Sequence, residues 1–363
     1  MTRGPGDSFP GRKKCQRCGA GSFPISSALG LCAQCISTGH PEVRTRLEEV
    51  HLRARQEAGL PGQPPAGSNG VRCRLCVNEC RIPPGGRGYC GLRTNTDRRL
   101  TGATADRGNV RWYHDPLPTN CVASWTCPGG TGAGYPKFAR SNGPEYGYKN
   151  LAVFYCACSF DCLFCQNWQH RRLAILEPDV SAAELASAVD EDTTCICYFG
   201  GDPAPQLPHA IRTSRLALEK RRPGVLRICW ETNGSMHPAL LQQAVELSLS
   251  SGGCIKFDLK AWDENIHFAL CGQSNRRTLD NFRLAAQHAR RRTWPPLLVA
   301  STLLVPGYVE AGEVAKIAAF IASIDPEIPY TLLAFHPQFV MDDLPPTSRR
   351  HAAECLAAAR AQG

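Results

Sequence analysis

From about residue 151 onward the chain repeats one pattern six times: a short continuous apolar run, then a stretch with helical periodicity. The apolar runs are LAVFYCA, CICYFGG, VLRICWETNG, CIKFDLKA, LLVASTLLVPG and YTLLAF. Their helical partners are SAAELASAVDED, HAIRTSRLALEK, HPALLQQAVELSLSS, TLDNFRLAAQHARRR, EAGEVAKIAAFIASI and SRRHAAECLAAARA. Ser181 and Glu184 have the spacing of a capping box that starts the first helix. Unbroken apolar runs mark parallel strands buried on both faces, and alternating strand–helix units imply a parallel sheet covered by helices. Six units fall short of the eight that close a barrel. The expected fold is therefore α/β, an open partial (β/α)6 barrel. Chemistry in such folds sits in the loops after the carboxyl ends of the strands. The loops here are CSFDCLFC, GGDPAPQ, ETNG, DLK, LVPG and FHPQF. All six are expected at one mouth.

Cysteine is the compositional outlier, with 20 of 363 residues. The start, MTRGPGDSFPGRKKC, has no apolar core of a secretory signal, and no apolar run approaches the length of a membrane span. Clustered thiols without export point to metal or redox chemistry in a reducing, cytoplasmic compartment. No membrane partner is expected. The formal net charge of +9, from 41 basic and 32 acidic residues, is mild and reads as solvated arginines, so nucleic acid is not an expected partner.

The cysteines fall into groups. Cys158, Cys162 and Cys165 are spaced C-x3-C-x2-C. A closed structural metal site takes four ligands, so three leave one position open. Three thiolates can hold three irons of a 4Fe–4S cubane and leave the fourth for a chelating small molecule. The alternative is zinc, with His170 or Cys156 as a fourth ligand. Cys15, Cys18, Cys32 and Cys35 have near zinc-ribbon spacing, with rubredoxin-like iron as the alternative. Cys73, Cys76, Cys80 and Cys90 suit either zinc or an auxiliary iron–sulfur cluster. Cys121 and Cys127 are either extra ligands, a redox pair or ordinary loop residues. Cys156, Cys195, Cys197, Cys229 and Cys254 lie on apolar strands and read as small hydrophobes.

The domain expectation follows this grouping. Residues 1–60 form a zinc-ribbon-like segment with one helix, PEVRTRLEEVHLRARQEAG. Residues 61–70, PGQPPAGSNG, are a flexible linker. Residues 71–150 are a loop-rich, cysteine-rich extension, and residues 151–363 are the barrel.

With the three-cysteine loop after the first strand, the chain resembles the radical S-adenosylmethionine (SAM) superfamily. Phe164 fills the aromatic slot between the last two cysteines, which in that family lies near the adenine. Gly200, Gly201, Asp202 and Pro203 resemble the family's Gly-Gly-Glu-Pro stretch at the methionyl amino group, with Asp202 where Glu is commoner. CQNW, ETNG, DLKAWDE, LLVPG and LLAFHP are similar to the activating-enzyme branch. That branch includes pyruvate formate-lyase activating enzyme-like proteins and the AmmeMemoRadiSam group, whose amino-terminal cysteine segment residues 73–90 also resemble. Carried over, Asp258, Lys260 and His336 line the SAM pocket, and Glu231 and Asn233 its ribose side. Asp258 and Lys260 are also readable as a plain salt bridge, Glu231 as a helix cap and His336 as a core histidine.

The resemblance implies an oxidoreductase that binds a 4Fe–4S cluster and reductively cleaves SAM to methionine and a 5′-deoxyadenosyl radical. That radical takes hydrogen from a protein, peptide or small-molecule substrate. It also implies an electron donor such as flavodoxin or ferredoxin. The chain lacks the ferredoxin-like insert of better-known glycyl radical activators after its cysteine loop. An RNA-modifying radical SAM enzyme and a non-catalytic metal-binding interaction protein are the alternatives.

Overall fold

A computed structural model describes residues 13–21, 23–220 and 224–363. Of the stretch read for a signal segment, residues 1–15, residues 1–12 lie outside the described residues. One sheet organises the chain. Its strands, in both chain and spatial order, are β1 (Val110–Pro116), β2 (Lys149–Tyr155), β3 (Thr193–Gly200), β4 (Arg227–Thr232), β5 (Ile255–Asp258), β6 (Leu298–Leu304) and β7 (Tyr330–Ala334). Strands β2 to β7 are parallel, as the apolar runs predict, and form the open α/β partial barrel.

The helices follow the expected order. α1 is Pro41–Gln56; α2 (Ala182–Ser187), α3 (Leu207–Lys220) and α4 (Pro238–Ser251) follow β2, β3 and β4. α5 (Glu264–Cys271) and α6 (Arg276–Ala289) follow β5, and α7 (Ala311–Ile324) and α8 (Arg349–Arg360) follow β6 and β7. The capping box forms: Glu184 N–H donates to Ser181 Oγ at 3.1 Å, and Ser181 N–H to Glu184 Oε2 at 3.5 Å.

Period-two alternation sorts the strand side chains into two sets. Val153, Tyr155, Ile196, Tyr198, Ile228, Trp230, Ile255 and Phe257 pack against the helices in the largest core. Their neighbours Ala152, Cys197, Cys229, Glu231 and Lys256 face the concave side and line one cavity there. A second core joins α1 to the mouth: Val43, Leu47 and Val50 pack with Phe160, Leu163, Phe164, Phe268 and Phe335.

Three features depart from the sequence expectation. β1 runs antiparallel beside β2, from Val110 opposite Tyr155 to Pro116 opposite Lys149, so the sheet begins before residue 151. Its residues are half exposed on an edge and show no clean apolar alternation. Helix α5, capped by Asp263, fills what reads as loop after β5. Residues 61–70 are tied down: Arg81 N–H donates to Pro65 O at 2.7 Å, and Gly67 N–H to Arg81 O at 3.1 Å. They are a packed connection, not a free linker.

Candidate active site and metal centres

The loop after β2 carries Cys158, Cys162 and Cys165, and its backbone is fixed on both sides. Asp161 N–H donates to Cys271 O at 2.8 Å and Leu163 N–H to Leu270 O at 2.9 Å, at the end of α5. Val340 N–H donates to Leu163 O at 3.0 Å. Asp161, inside the motif, is buried and gathers three cationic or ionisable groups. His51 Nδ1 lies 2.7 Å from its Oδ2 and Arg55 Nη1 3.4 Å from its Oδ1, and Arg171 also bonds Oδ1. Arg171 donates as well to Cys162 O at 3.1 Å. The sequence reading missed Asp161, because an acidic residue between cysteines carries no periodic signal.

Each thiol has its own surroundings. Cys158 Sγ accepts from Phe160 N–H at 3.4 Å and faces Asn233 Nδ2 at 3.6 Å. Burial, with Asp202 nearby, pushes the Cys158 thiol well up. Burial pushes Cys165 up to about 11. The Cys162 thiol is instead lowered, first by the thiol of Cys271 beside it and then by the cations of Lys260 and Arg171. Amide N–H groups aimed at sulfur, cations beside the loop and three thiols with no fourth ligand in the motif fit an anionic iron–sulfur cluster with an open position.

The neighbouring strand ends meet this loop. Gly200 adopts φ +105°, and a Cβ on Gly201 would stand 2.2 Å from Ala157 O, so two glycines are required where β3 passes the end of β2. Asp202 follows, buried, and accepts from Asn233 N–H at 2.6 Å, Ala204 N–H at 2.7 Å and the Thr232 hydroxyl at 3.1 Å. Burial raises its carboxyl to about 6 against those three donors. Pro203 leads into the short turn Ala204–Gln206. Asn233 thus joins Asp202 to Cys158.

On the other side, Lys260 Nζ bonds Asp258 Oδ2 at 2.9 Å, Ser301 Oγ donates to Asp258 Oδ1 at 2.7 Å, and Lys260 Nζ lies 5.8 Å from the centre of the Phe164 ring. Burial alone would lower the Lys260 ammonium, yet Asp258 and the Cys162 thiol hold it well above its ordinary value. Two expected residues stand apart. Glu231 points into the concave cavity, 2.9 Å from Lys256 Nζ, and caps no helix. His336 is exposed, not a core residue, with Nδ1 3.2 Å from Pro337 O.

The two amino-terminal quartets differ. The sulfurs of Cys15, Cys18, Cys32 and Cys35 all lie within 4.8 Å of one another, and Cys18 and Cys32 are 3.8 Å apart. A tetrahedral zinc with Zn–S of about 2.3 Å has S···S edges of about 3.8 Å, so these residues fit that ion. Burial opposes the Cys15 thiolate, but the Cys32 N–H and its neighbours bring the group down to about 6. Cys73, Cys76, Cys80 and Cys90 line one small cavity with Asn78, Arg93 and Pro205. Asn78 Nδ2 donates to Ser159 O at 2.8 Å, linking this quartet to the three-cysteine loop.

The sequence pattern of the Radical SAM superfamily matches residues 152–321, from β2 into α7. Residues 152–321 are thus similar to that superfamily. Two curated relatives are named as activating enzymes. The isethionate sulfite-lyase activating enzyme of Desulfovibrio desulfuricans is 33% identical over 139 residues, covering 38% of this chain and 40% of that one. A Methanocaldococcus jannaschii protein, named as a glycyl-radical enzyme activating enzyme, is 33% identical over 81 residues, covering 22% of this chain and 30% of that one. The chain thus spans less than half the length of these relatives. Among solved structures, Streptococcus suis SuiB bound to S-adenosylmethionine aligns at a TM-score of 0.41 and 14% identity, covering 56% of this chain and 45% of SuiB. Among the described residues, no helix is long and apolar enough to cross a membrane.

Proposed function

We propose that this chain is a radical SAM enzyme whose cluster sits on Cys158, Cys162 and Cys165 and whose substrate is a protein or peptide. When bound, a 4Fe–4S cluster supplies the electron that cleaves SAM to methionine and a 5′-deoxyadenosyl radical, which takes a hydrogen atom from the substrate. The observation that carries the reading is the meeting, at one mouth, of the cysteine loop with the ends of β3, β4 and β5 through Asp202, Asn233, Asp258 and Lys260.

The chain's own groups then divide the work. Asn233 and the Phe160 N–H direct donors at the Cys158 sulfur. Asp202, engaged by three donors, positions Asn233 rather than reaching a ligand directly. Asp258 and Lys260 offer paired charge, and Phe164 an apolar face, to the SAM body; Gly200, Gly201 and Pro203 keep the loop close to β2. Glu231 lies a layer deeper than the ribose contact expected of it. Electrons come from a small donor protein such as flavodoxin or ferredoxin, and zinc sits on Cys15, Cys18, Cys32 and Cys35. All twenty cysteines are unpaired, which suits a reducing cytoplasm. A protein or peptide substrate is favoured by the names of the curated relatives, which are activating enzymes.

The test is 5′-deoxyadenosine formation by the anaerobically reconstituted, reduced chain. Product from wild type and none from Cys162→Ala is the expected result. A fully loaded cluster that yields none, even with added peptides and candidate glycyl radical partners, would refute the reading.

A further inference from the structure

The concave face of the sheet holds chemistry that the mouth does not use. Cys197 and Cys229 are lateral partners on β3 and β4. The pairing of Trp230 with Ile255 sets Cys254 beside Cys229. Three neighbouring parallel strands therefore present three thiols in one row, about 4.8 Å per step. Cys121 and Cys127, from the connection between β1 and β2, close over that row, and all five pack with Ala123 and Val299. Cys195 lies one row below and donates to Asn150 Oδ1 at 3.1 Å.

A wall of thiols alone could be a wall of small hydrophobes. Lys256 makes that insufficient. Its side chain is only 2% exposed, and its ammonium lies 2.9 Å from Glu231 Oε1. Its other contacts are the sulfurs of Cys121 and Cys197, each at 3.1 Å. Burying an ammonium is costly, and a neutral thiol is a weak acceptor, whereas anionic sulfur is a strong one. Two of the three donors of the buried cation thus point at sulfur, and Cys121 Sγ also lies 3.3 Å from Glu231 Oε1. A thiolate-ligated iron–sulfur cluster is anionic, and donors aimed at its sulfurs stabilise it. Among the described residues, only the Cys15 quartet gathers its ligand atoms within 4.8 Å. No three of the lumen thiols, nor Cys158, Cys162 and Cys165, are gathered that closely. The cavity they line, about 120 Å³, is larger than a single ion needs.

We propose that Cys121, Cys127, Cys197, Cys229 and Cys254 supply the ligands of a second, polynuclear iron–sulfur cluster inside the barrel, with Lys256 as its fixed counter-cation. It is a site distinct from the mouth: Cys254, just before β5, and Asp258 at its end are four residues apart, about 13 Å in extended chain. The proposal holds whether or not the mouth cleaves SAM, because its readouts are iron and spectra.

The experiment uses the full chain, reconstituted anaerobically with iron and sulfide. Iron-edge anomalous diffraction on the wild-type protein needs no variant: density bridging Cys121, Cys197, Cys229 and Cys254 supports the site, and a lumen without iron, or with zinc alone, overturns it. Iron per chain and electron paramagnetic resonance give a second reading. Cys197→Ala, Cys229→Ala and Cys254→Ala together are expected to remove roughly two or four irons and one signal, while the signal lost in Cys158→Ala/Cys162→Ala/Cys165→Ala stays. That retained signal shows the variant is folded. Lys256→Met is expected to keep the iron and shift the lumen signal. Equal iron content with and without the three strand thiols would overturn the proposal.

Discussion

Asp161 Oδ2 and His51 Nδ1 meet 2.7 Å apart in the interior, although 110 residues separate them in the chain. Arg55 and Arg171 complete the arrangement around the same carboxylate. A residue of the cysteine loop thereby grips helix α1 and ties the amino-terminal segment to the mouth.

Removing that carboxylate strands a histidine and two guanidinium groups in a dry site. Asp161→Ala is expected to destabilise the chain by about 3–5 kcal/mol, read as a lowered urea midpoint. The loop that carries Cys158, Cys162 and Cys165 loosens with it, so iron retained after gel filtration is expected to fall. A midpoint within error of wild type would show that the buried network contributes nothing net.

The Cys15 quartet is expected to hold one zinc per chain. Cys32→Ser should abolish that zinc in elemental analysis and lower the thermal midpoint, because α1 and the knuckles share a core with the mouth. Iron in place of zinc in protein purified from zinc-replete medium would point to rubredoxin-like chemistry.

Acid sensitivity follows from three buried rings. Burial brings His170 down to about 3 and His209 and His267 down to about 4, from an ordinary 6.5. These rings are neutral in the folded chain but take up protons on unfolding below pH 6.5. Their contribution is complete above about 6.5 and is lost as pH falls towards 4 and 3. The urea midpoint should be flat from pH 7 to 8 and fall steadily from 6.5 to 4. A midpoint that holds constant down to pH 4 would contradict the burial of these neutral rings.

Asp258→Asn removes the charge that Lys260 and Ser301 both engage. Weaker SAM binding by about tenfold, or 1.4 kcal/mol, is the expected outcome. Isothermal titration with the reconstituted protein measures it, and undiminished affinity would place SAM elsewhere.

The six parallel strands were legible because burial on both faces leaves runs such as LAVFYCA unbroken. The mouth was legible because the topology sends six polar loops to one end. β1 was not: Val110–Pro116 is an edge strand with most side chains part-exposed, so its pattern is carried by its partner β2 rather than by its own residues. Helix α5 was hidden between two stronger signals. Asp202 reads as a ligand for an ammonium, yet the structure engages it with Thr232, Asn233 and Ala204. Cys197, Cys229 and Cys254 each look like small hydrophobes in sequence, since only lateral register reveals that they share a row. Lys256 and Glu231 acquire meaning the same way.

The strict alternation along β4 and β5 restricts how this chain can change length. Inserting or deleting one residue in either strand would turn Trp230 or Phe257 inward and drive Glu231 or Lys256 beneath the helices. Indels in these strands are tolerable only in pairs, whereas the loops at the mouth can grow one residue at a time. Substrate preference can therefore drift through loop length while the strand lengths stay frozen.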